Sequence, residues 1–521
     1  MNEQRLGTLL LENNLGESLR GLYLIRTTMK QIPWSVCQLS NLQVLDVSGN
    51  RLTGFENNCF TNMTSLTHIY ANGNLIIRLQ NGVFDSLKVL TTLNLRENQI
   101  KDIGPHVFSN RLNLRNLRDI YLSNNRLTSL PDGVFDGLKS LRHLDLGGNR
   151  ISYIGLRVFS KRSNLRNLRN IYLNNNLLTS LQDGVLDGPK SLSDLDLSGN
   201  RISDIGLNVF TNRYNLRNLR NISLSNNKLT SLRDGVFDGL KSLRYLYLSR
   251  NRLSDIGLHV FSNQSALRNL RNIHLNDNLL TALQDGVFDG LKSLRYLYLG
   301  GNPISDIGLR VFSNRSNLRN LRHIYLNNSL LTSLQDGVLD GLNSLTSLNL
   351  RGNRISVIGL NVFSQRANLR NLWSIDLQDN NLTSLQDGVF DGLKSLSYIY
   401  LGWNRISDIG LHVFSNRSNL SNLRNIYLNN NLLTSLKDGV FDGLNSLTSL
   451  NIRGNRIYDI GLYVFSERSN LRNLSSIHLQ DNLLTSLQDG VFDGLKSLKY
   501  LDLSGNRISD IGIHVFPIRL R

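Results

Sequence analysis

The sequence predicts an α/β repeat solenoid, with a parallel β-sheet on a concave face and short helical turns or loops on a convex face. Three observations carry this expectation. The phrase LQDGVFDGL (283–291) returns with small changes, and its first aspartate falls at Asp132, Asp183, Asp234, Asp285, Asp336, Asp387, Asp438 and Asp489, always 51 residues apart. The pattern L-x-x-L-x-L-x-x-N-x-[LI] begins twenty times between Leu19 and Leu498, and from Leu66 onward its steps alternate between 24 and 27 residues. Six prolines in 521 residues, and no low-complexity tract, leave no obvious place for a linker. A fixed internal period means an array that grows lengthwise around one continuous core rather than a string of separate domains. The expected organisation is an irregular segment over 1–18, carrying a truncated repeat in LGTLLLENN (6–14), followed by a repeat domain over 19–521.

The strand comes first in each unit. In LRNIYL (168–173), Ile171 and Leu173 alternate with Asn170 and Tyr172, the period-two signature of a short strand with one buried face. The asparagine that follows, as at Asn176, sits where the chain must turn. Its amide both donates and accepts, so it can satisfy backbone groups of adjacent coils that no strand pairs. Ser329 replaces it once, and a hydroxyl offers fewer hydrogen bonds, so a locally weaker coil is expected there.

The DGVFDGL phrase supplies the opposite wall. Val134 and Phe135 are expected to point inward, and a Phe column continues through Phe159, Phe210, Phe237 and onward to Phe492, with Leu186 and Leu339 replacing it twice. Each buried side chain of this kind contributes about 1.5–3 kcal/mol, enough to offset backbone ordering only when coils stack. The aspartates read as structural: Asp132 capping a short helical turn, with Gly133 easing the bend. The three extra residues of the longer step lie in SKRSNLRN and its relatives, on the outer side of the coil.

The repeat together with LPDGVFDGL (130–138) resembles the extracellular "typical" class of leucine-rich repeat, as in variable lymphocyte receptors, Toll-like receptor ectodomains and Slit-like proteins. The resemblance covers essentially 19–521 and implies a leucine-rich-repeat horseshoe used for binding, extracellular or at the cell surface, with roles in innate immunity or adhesion. The chain departs from that class in lacking cysteine-rich caps. Its opening, MNEQRLGTLLLENN, shows no basic start followed by a clean apolar core, and no run of about 18 apolar residues occurs, so neither a signal peptide nor a membrane span is expected.

Chemistry is sparse. Nine histidines never cluster with cysteine or carboxylate at metal-ligand spacing, and no nucleophile elbow or phosphate loop occurs. No catalytic residues, metal or cofactor are therefore expected, and the chain is not read as an enzyme. Cys37 and Cys59 lie in neighbouring coils at nearly one phase, so a disulfide is conceivable. Cys37, however, occupies a Phe-column position, which favours a buried free thiol. Nine N-x-[ST] sequons, from Asn62 to Asn473, are no more than chance gives in a chain this rich in Asn and Ser.

The formal charge of +18 is carried mostly by arginines that recur with the repeat. A solvated basic surface explains it, and an acidic partner is the next reading, ahead of nucleic acid or membrane. The informative positions are those that alternate with buried leucines on the strands. The candidate partner-binding set is Tyr245, Tyr247, Arg250, His274, Tyr296, Tyr298, His323, Tyr325, Trp373, Tyr398, Tyr400, Trp403 and Tyr427, often preceded by an arginine such as Arg244, Arg271, Arg295, Arg322 or Arg424. Tyr, Trp and Arg dominate interface hot spots, although aromatics also favour strands for their own sake. The expected function is non-catalytic recognition of a protein or glycoprotein ligand through a Tyr/Arg/Asn-lined sheet. A structural or adhesive matrix protein is the alternative.

Overall fold

The computed structural model describes residues 15–516, apart from residue 57 and eight segments of two to five residues that begin at 109, 161, 211, 262, 313, 364, 415 and 467. The truncated repeat at 6–14 and most of the outer extensions of the 27-residue steps lie outside the described residues. The chain packs as two compact units, one reaching Arg252 and one carrying the chain from Arg268 onward.

Among the described residues each unit holds ten three-residue strands that pair in parallel, Gly21–Tyr23 to Tyr245–Tyr247 in the first and Asn272–His274 to Tyr500–Asp502 in the second. Their number equals the number of repeats in the sequence. Within each unit the register holds from strand to strand: Tyr296 pairs with His323 and His323 with Ser347, while Tyr298 pairs with Tyr325 and Tyr325 with Asn349. Nearly every strand has a buried central residue between two half-buried ones, as in Asn170–Tyr172. One face of the sheet therefore belongs to the core and the other to solvent.

Two side-chain ladders fix that register. Asn176 accepts the N–H of Ile151 on Oδ1 at 2.9 Å and donates through Nδ2 to the carbonyls of Leu146 and Leu173, each at 3.0 Å. The same triple recurs at Asn74, Asn200, Asn353 and Asn482. Ser329 breaks the ladder as expected, and its buried Oγ has no hydrogen-bond partner. On the opposite wall the Phe rings stack coil on coil, for example Phe84 on Phe108 and Phe390 on Phe414, at 5.9 and 6.0 Å between centroids.

The outer side is mostly turns; the only helical turns among the described residues are Leu15–Ser18 and Trp34–Cys37. Seven two-stranded parallel ribbons accompany them, such as Ser129–Leu130 with Tyr153–Ile154 and Ser333–Leu334 with Val357–Ile358. Each ribbon spans a 24-residue step, so coils couple in twos on this side and the 51-residue period has a structural counterpart.

Two expectations are corrected. Cys37 and Cys59 form a disulfide, with Cα atoms 4.8 Å apart. Stacked coils bring equal phases to about one strand spacing, within disulfide range, and Phe60 rather than a cysteine continues the ring column toward Phe84. Asp132 does not cap its own turn. Its Oδ1 accepts the main-chain N–H of Arg157, in the next coil, at 2.8 Å. Asp183, Asp285, Asp336, Asp387, Asp438 and Asp489 do the same 25 residues on, at 2.8–2.9 Å. The phrase is structural, but its aspartates tie coils together. Gly133, at φ +80°, does serve the bend as expected.

Candidate functional site

The solvent face of the second unit gathers the candidate aromatics into two patches. In the first, His274 stacks on Tyr298 with centroids 4.1 Å apart, and Tyr298 on Tyr325 at 4.7 Å with an interplanar angle of 2°. A parallel column places Tyr296 on His323 at 4.7 Å and 4°. The two columns lie side by side, with Tyr296 and Tyr298 6.4 Å apart. The unshifted register is the cause: positions two apart on one strand share a face, and the same position on the next strand lies about 4.8 Å away. Offset stacking of this kind adds about 0.5–1.5 kcal/mol per contact beyond burial.

In the second patch Tyr400 stacks on Tyr427 at 4.7 Å and 4°, and Trp373 leans on Tyr398 at 4.6 Å and 57°. Between the patches lie two polar strands, Ser347–Asn349 and Ser374–Asp376. Asp376 is half-buried, and that burial raises its carboxyl above the usual range, against the lowering influence of the Gln378 N–H and of Arg351. Burial likewise raises the Tyr325 and Tyr400 phenols. It depresses His274 from 6.5 to about 4, and lowers His323, helped by the Arg322 charge. The stack therefore presents neutral rings at physiological pH.

Four candidates lie elsewhere. Tyr245 and Tyr247 occupy one strand of the first unit, with Leu246 buried between them. Arg250 and Trp403 are not strand residues; they occupy the turn after the strand at φ +54° and +56°. Glycine takes the same place at Gly301, Gly352 and Gly454. A bulky residue there is an outlier, and Trp403 is 58% exposed.

Sequence reasoning missed a polar cluster in the first unit. Arg96 lies over the Tyr121 ring at 4.5 Å and donates to Asp145, 2.5 Å away, which also accepts from Ser123 at 2.9 Å. Its members are 49 residues apart in chain order, and no local pattern announces such a pair. Asp376 was missed because an acidic strand residue reads as ordinary solvent-facing polarity. Among the described residues no three metal-ligating side chains converge, and no helix is long and apolar enough to cross a membrane.

Models described as "Leucine rich repeat" match residues 17–76, 115–169, 166–219, 217–271, 268–322 and 472–516, more than half of the chain. The chain belongs to the leucine-rich-repeat family. A "BspA type Leucine rich repeat region" also matches 307–421 and 344–472. Among curated relatives, Podocan-like protein 1 of Mus musculus is 27% identical over 516 residues, spanning 97% of this chain and 81% of that protein. Podocan of the same species is 28% identical, over 92% and 77%, and Tsukushi of Gallus gallus 30% identical, over 62% and 82%. The fold is shared with Toll in the Drosophila Toll–Spatzle complex (TM-score 0.70, 20% identity, 90% of this chain and 61% of that one). It is shared also with a Leptospira interrogans leucine-rich-repeat protein (TM-score 0.58, 22% identity, 86% and 93%). As a leucine-rich-repeat protein the chain is non-catalytic.

Proposed function

We propose that this leucine-rich-repeat protein is a receptor-type recognition module that binds a protein ligand through the solvent face of its second unit. One observation carries the reading: the coplanar Tyr298–Tyr325 stack, flanked by His274, Tyr296 and His323, forms a pre-ordered aromatic surface on rigid strands. Rigid tyrosines supply large amphipathic contact area at low conformational-entropy cost, and stacked coils leave little to reorganise on binding. Trp373 and Trp403, both more than half exposed, extend the surface as anchors of the hot-spot type. The charge of +18 supports a ligand with acidic character. Toll, which shares the fold, is held in complex with Spatzle, a precedent for ligand capture on such a scaffold.

The test is the double substitution Tyr298→Ser/Tyr325→Ser against ligands recovered with the intact protein. Loss of binding by 100-fold or so, with circular dichroism unchanged, is the expected outcome for two hot-spot residues. Undiminished binding overturns the reading. A small graded loss, matched by substitutions on the outer turns, identifies the adhesive alternative, in which many weak contacts share the work.

A further inference from the structure

The first unit carries a second surface, distinct from the aromatic face. Six segments that lead into consecutive strands, 114–118, 138–142, 165–169, 189–193, 216–220 and 240–244, contain eleven Lys or Arg residues, no acid and no aromatic. At the residue just before the strand stand Arg118, Arg142, Arg169, Arg220 and Arg244, with Ser193 interrupting the row. Their backbones are locked coil to coil. The carbonyl of Arg142 accepts both the Arg169 and Asn170 N–H groups, and that of Arg169 both Ser193 and Asp194, at 2.8 and 3.0 Å in each case. Nearly all the row's side chains are exposed, and among the described residues no carboxylate lies within ion-pair distance of any of the five. The row is thus a line of cations at a strand spacing of about 4.8 Å.

Where Ser193 replaces the arginine, a groove of about 340 Å³ opens, lined by Arg169, Ser191, Ser193, Asn218 and Arg220. Its guanidinium walls stand two strand spacings apart, about 10 Å. Asn218 is pinned by donating to the Lys190 carbonyl at 3.0 Å, which leaves its amide oxygen to accept. The lining joins bidentate anion donors to neutral hydroxyl and amide groups.

We infer that this flank binds a linear sulfated polysaccharide, whose anionic groups meet the arginine row while sugar hydroxyls meet Ser191, Ser193 and Asn218 in the groove. A one-dimensional row of cations fits a one-dimensional polyanion. Single-stranded nucleic acid is disfavoured because the six segments themselves carry no ring on which bases could stack. The surface shares no residue with the aromatic patches of the second unit, so either site can fail without the other.

The experiment measures affinity of the full chain for heparin fragments in 0.15 M salt, comparing Arg142→Gln/Arg169→Gln/Arg220→Gln with Arg126→Gln/Arg150→Gln/Arg201→Gln. Both triples remove equal charge from exposed positions, the second at the opposite strand ends. Loss of about tenfold or more in the first triple alone is expected, and Ser193→Leu, which fills the groove and leaves the charge intact, should weaken binding too. Equal losses in both triples reduce the effect to net charge and overturn the assignment. No measurable binding of heparin by the intact chain overturns it as well, as does tighter binding of duplex RNA or DNA than of heparin.

Discussion

Asp285 and Gly308 are matched across neighbouring coils: Asp285 Oδ1 accepts the Arg310 N–H at 2.8 Å, and a Cβ on Gly308 would collide with that same oxygen. The pair recurs at Asp183 with Gly206, Asp336 with Gly359 and Asp438 with Gly461. The aspartate of each DGVFDGL phrase and the glycine of the following IGL phrase are two halves of one contact.

Gly308→Ala is therefore expected to destabilise the coil by about 1–3 kcal/mol, through steric overlap. Asp285→Ala should cost about 1 kcal/mol for the lost hydrogen bond. The double variant removes the oxygen that the new methyl strikes, so its loss should fall short of the sum by about 1 kcal/mol. Additive losses in denaturant melts would show that the two residues do not act as a pair.

Ser329→Asn should stabilise the protein. The buried Ser329 Oγ has no hydrogen-bond partner, whereas Asn353 in the next coil makes three bonds there. Restoring the ladder is worth about 1–3 kcal/mol, read as a rise in the chemical denaturation midpoint. An unchanged or lower midpoint means the coil has already adapted to serine.

Trp403→Gly separates strain from function. At φ +56° a tryptophan is strained by about 1–2 kcal/mol relative to glycine. The substitution should raise stability by about that amount and weaken ligand binding tenfold or more, as for an exposed anchor. Stability gained with binding intact would remove Trp403 from the recognition surface.

Breaking the Cys37–Cys59 bond, which joins residues 22 apart, should cost about 3 kcal/mol through the freed chain of the unfolded state. Both cysteines are fully buried, so Cys37→Ala/Cys59→Ala is the cleaner test than reductant. Hydrogen exchange should quicken over residues 32–70 and stay unchanged in the second unit. Uniform quickening along the chain would contradict a local role.

Acid should loosen the aromatic stack. In the unfolded chain His274 titrates near 6.5, and in the folded protein near 4. Above 6.5 both states hold a neutral ring, so the full stability is present. Between 6.5 and 4 the unfolded state takes up a proton that the folded state refuses, and stability falls; below 4 the loss levels off. His274→Gln should abolish that part of the decline, on the order of 1–2 kcal/mol, seen in the protection factors of Ile273 and Leu297 at pH 7 and pH 4.5. Identical declines in both proteins would exclude His274 as the source.

Much of the architecture was legible because a repeat shows its rules many times over. The twenty leucine frames gave the twenty strands, the asparagine gave the inter-coil hydrogen bonds, and the Phe column gave the opposite wall. The two-residue ribbons were hidden, since two residues carry no periodicity. The Asp–Gly contact was hidden because its halves lie 23 residues apart and a single phrase read alone suggests a cap. The disulfide was misread since a buried cysteine at a Phe position serves as a small apolar residue equally well until coil spacing is known. For the candidate site, alternation revealed which aromatics share the solvent face. It could not reveal which of them stack, or that Arg250 and Trp403 belong to turns.

The sequence by itself determined the repeat, the face on which each residue lies and the absence of a recognisable catalytic motif, because each of these depends on spacing along one chain. Only the tertiary structure decided which rings touch, which aspartate oxygen meets which N–H and which arginines stand unpaired in a row. Those relations join residues about 22 to 50 positions apart, and they exist only once the coils are stacked at one strand spacing in one register.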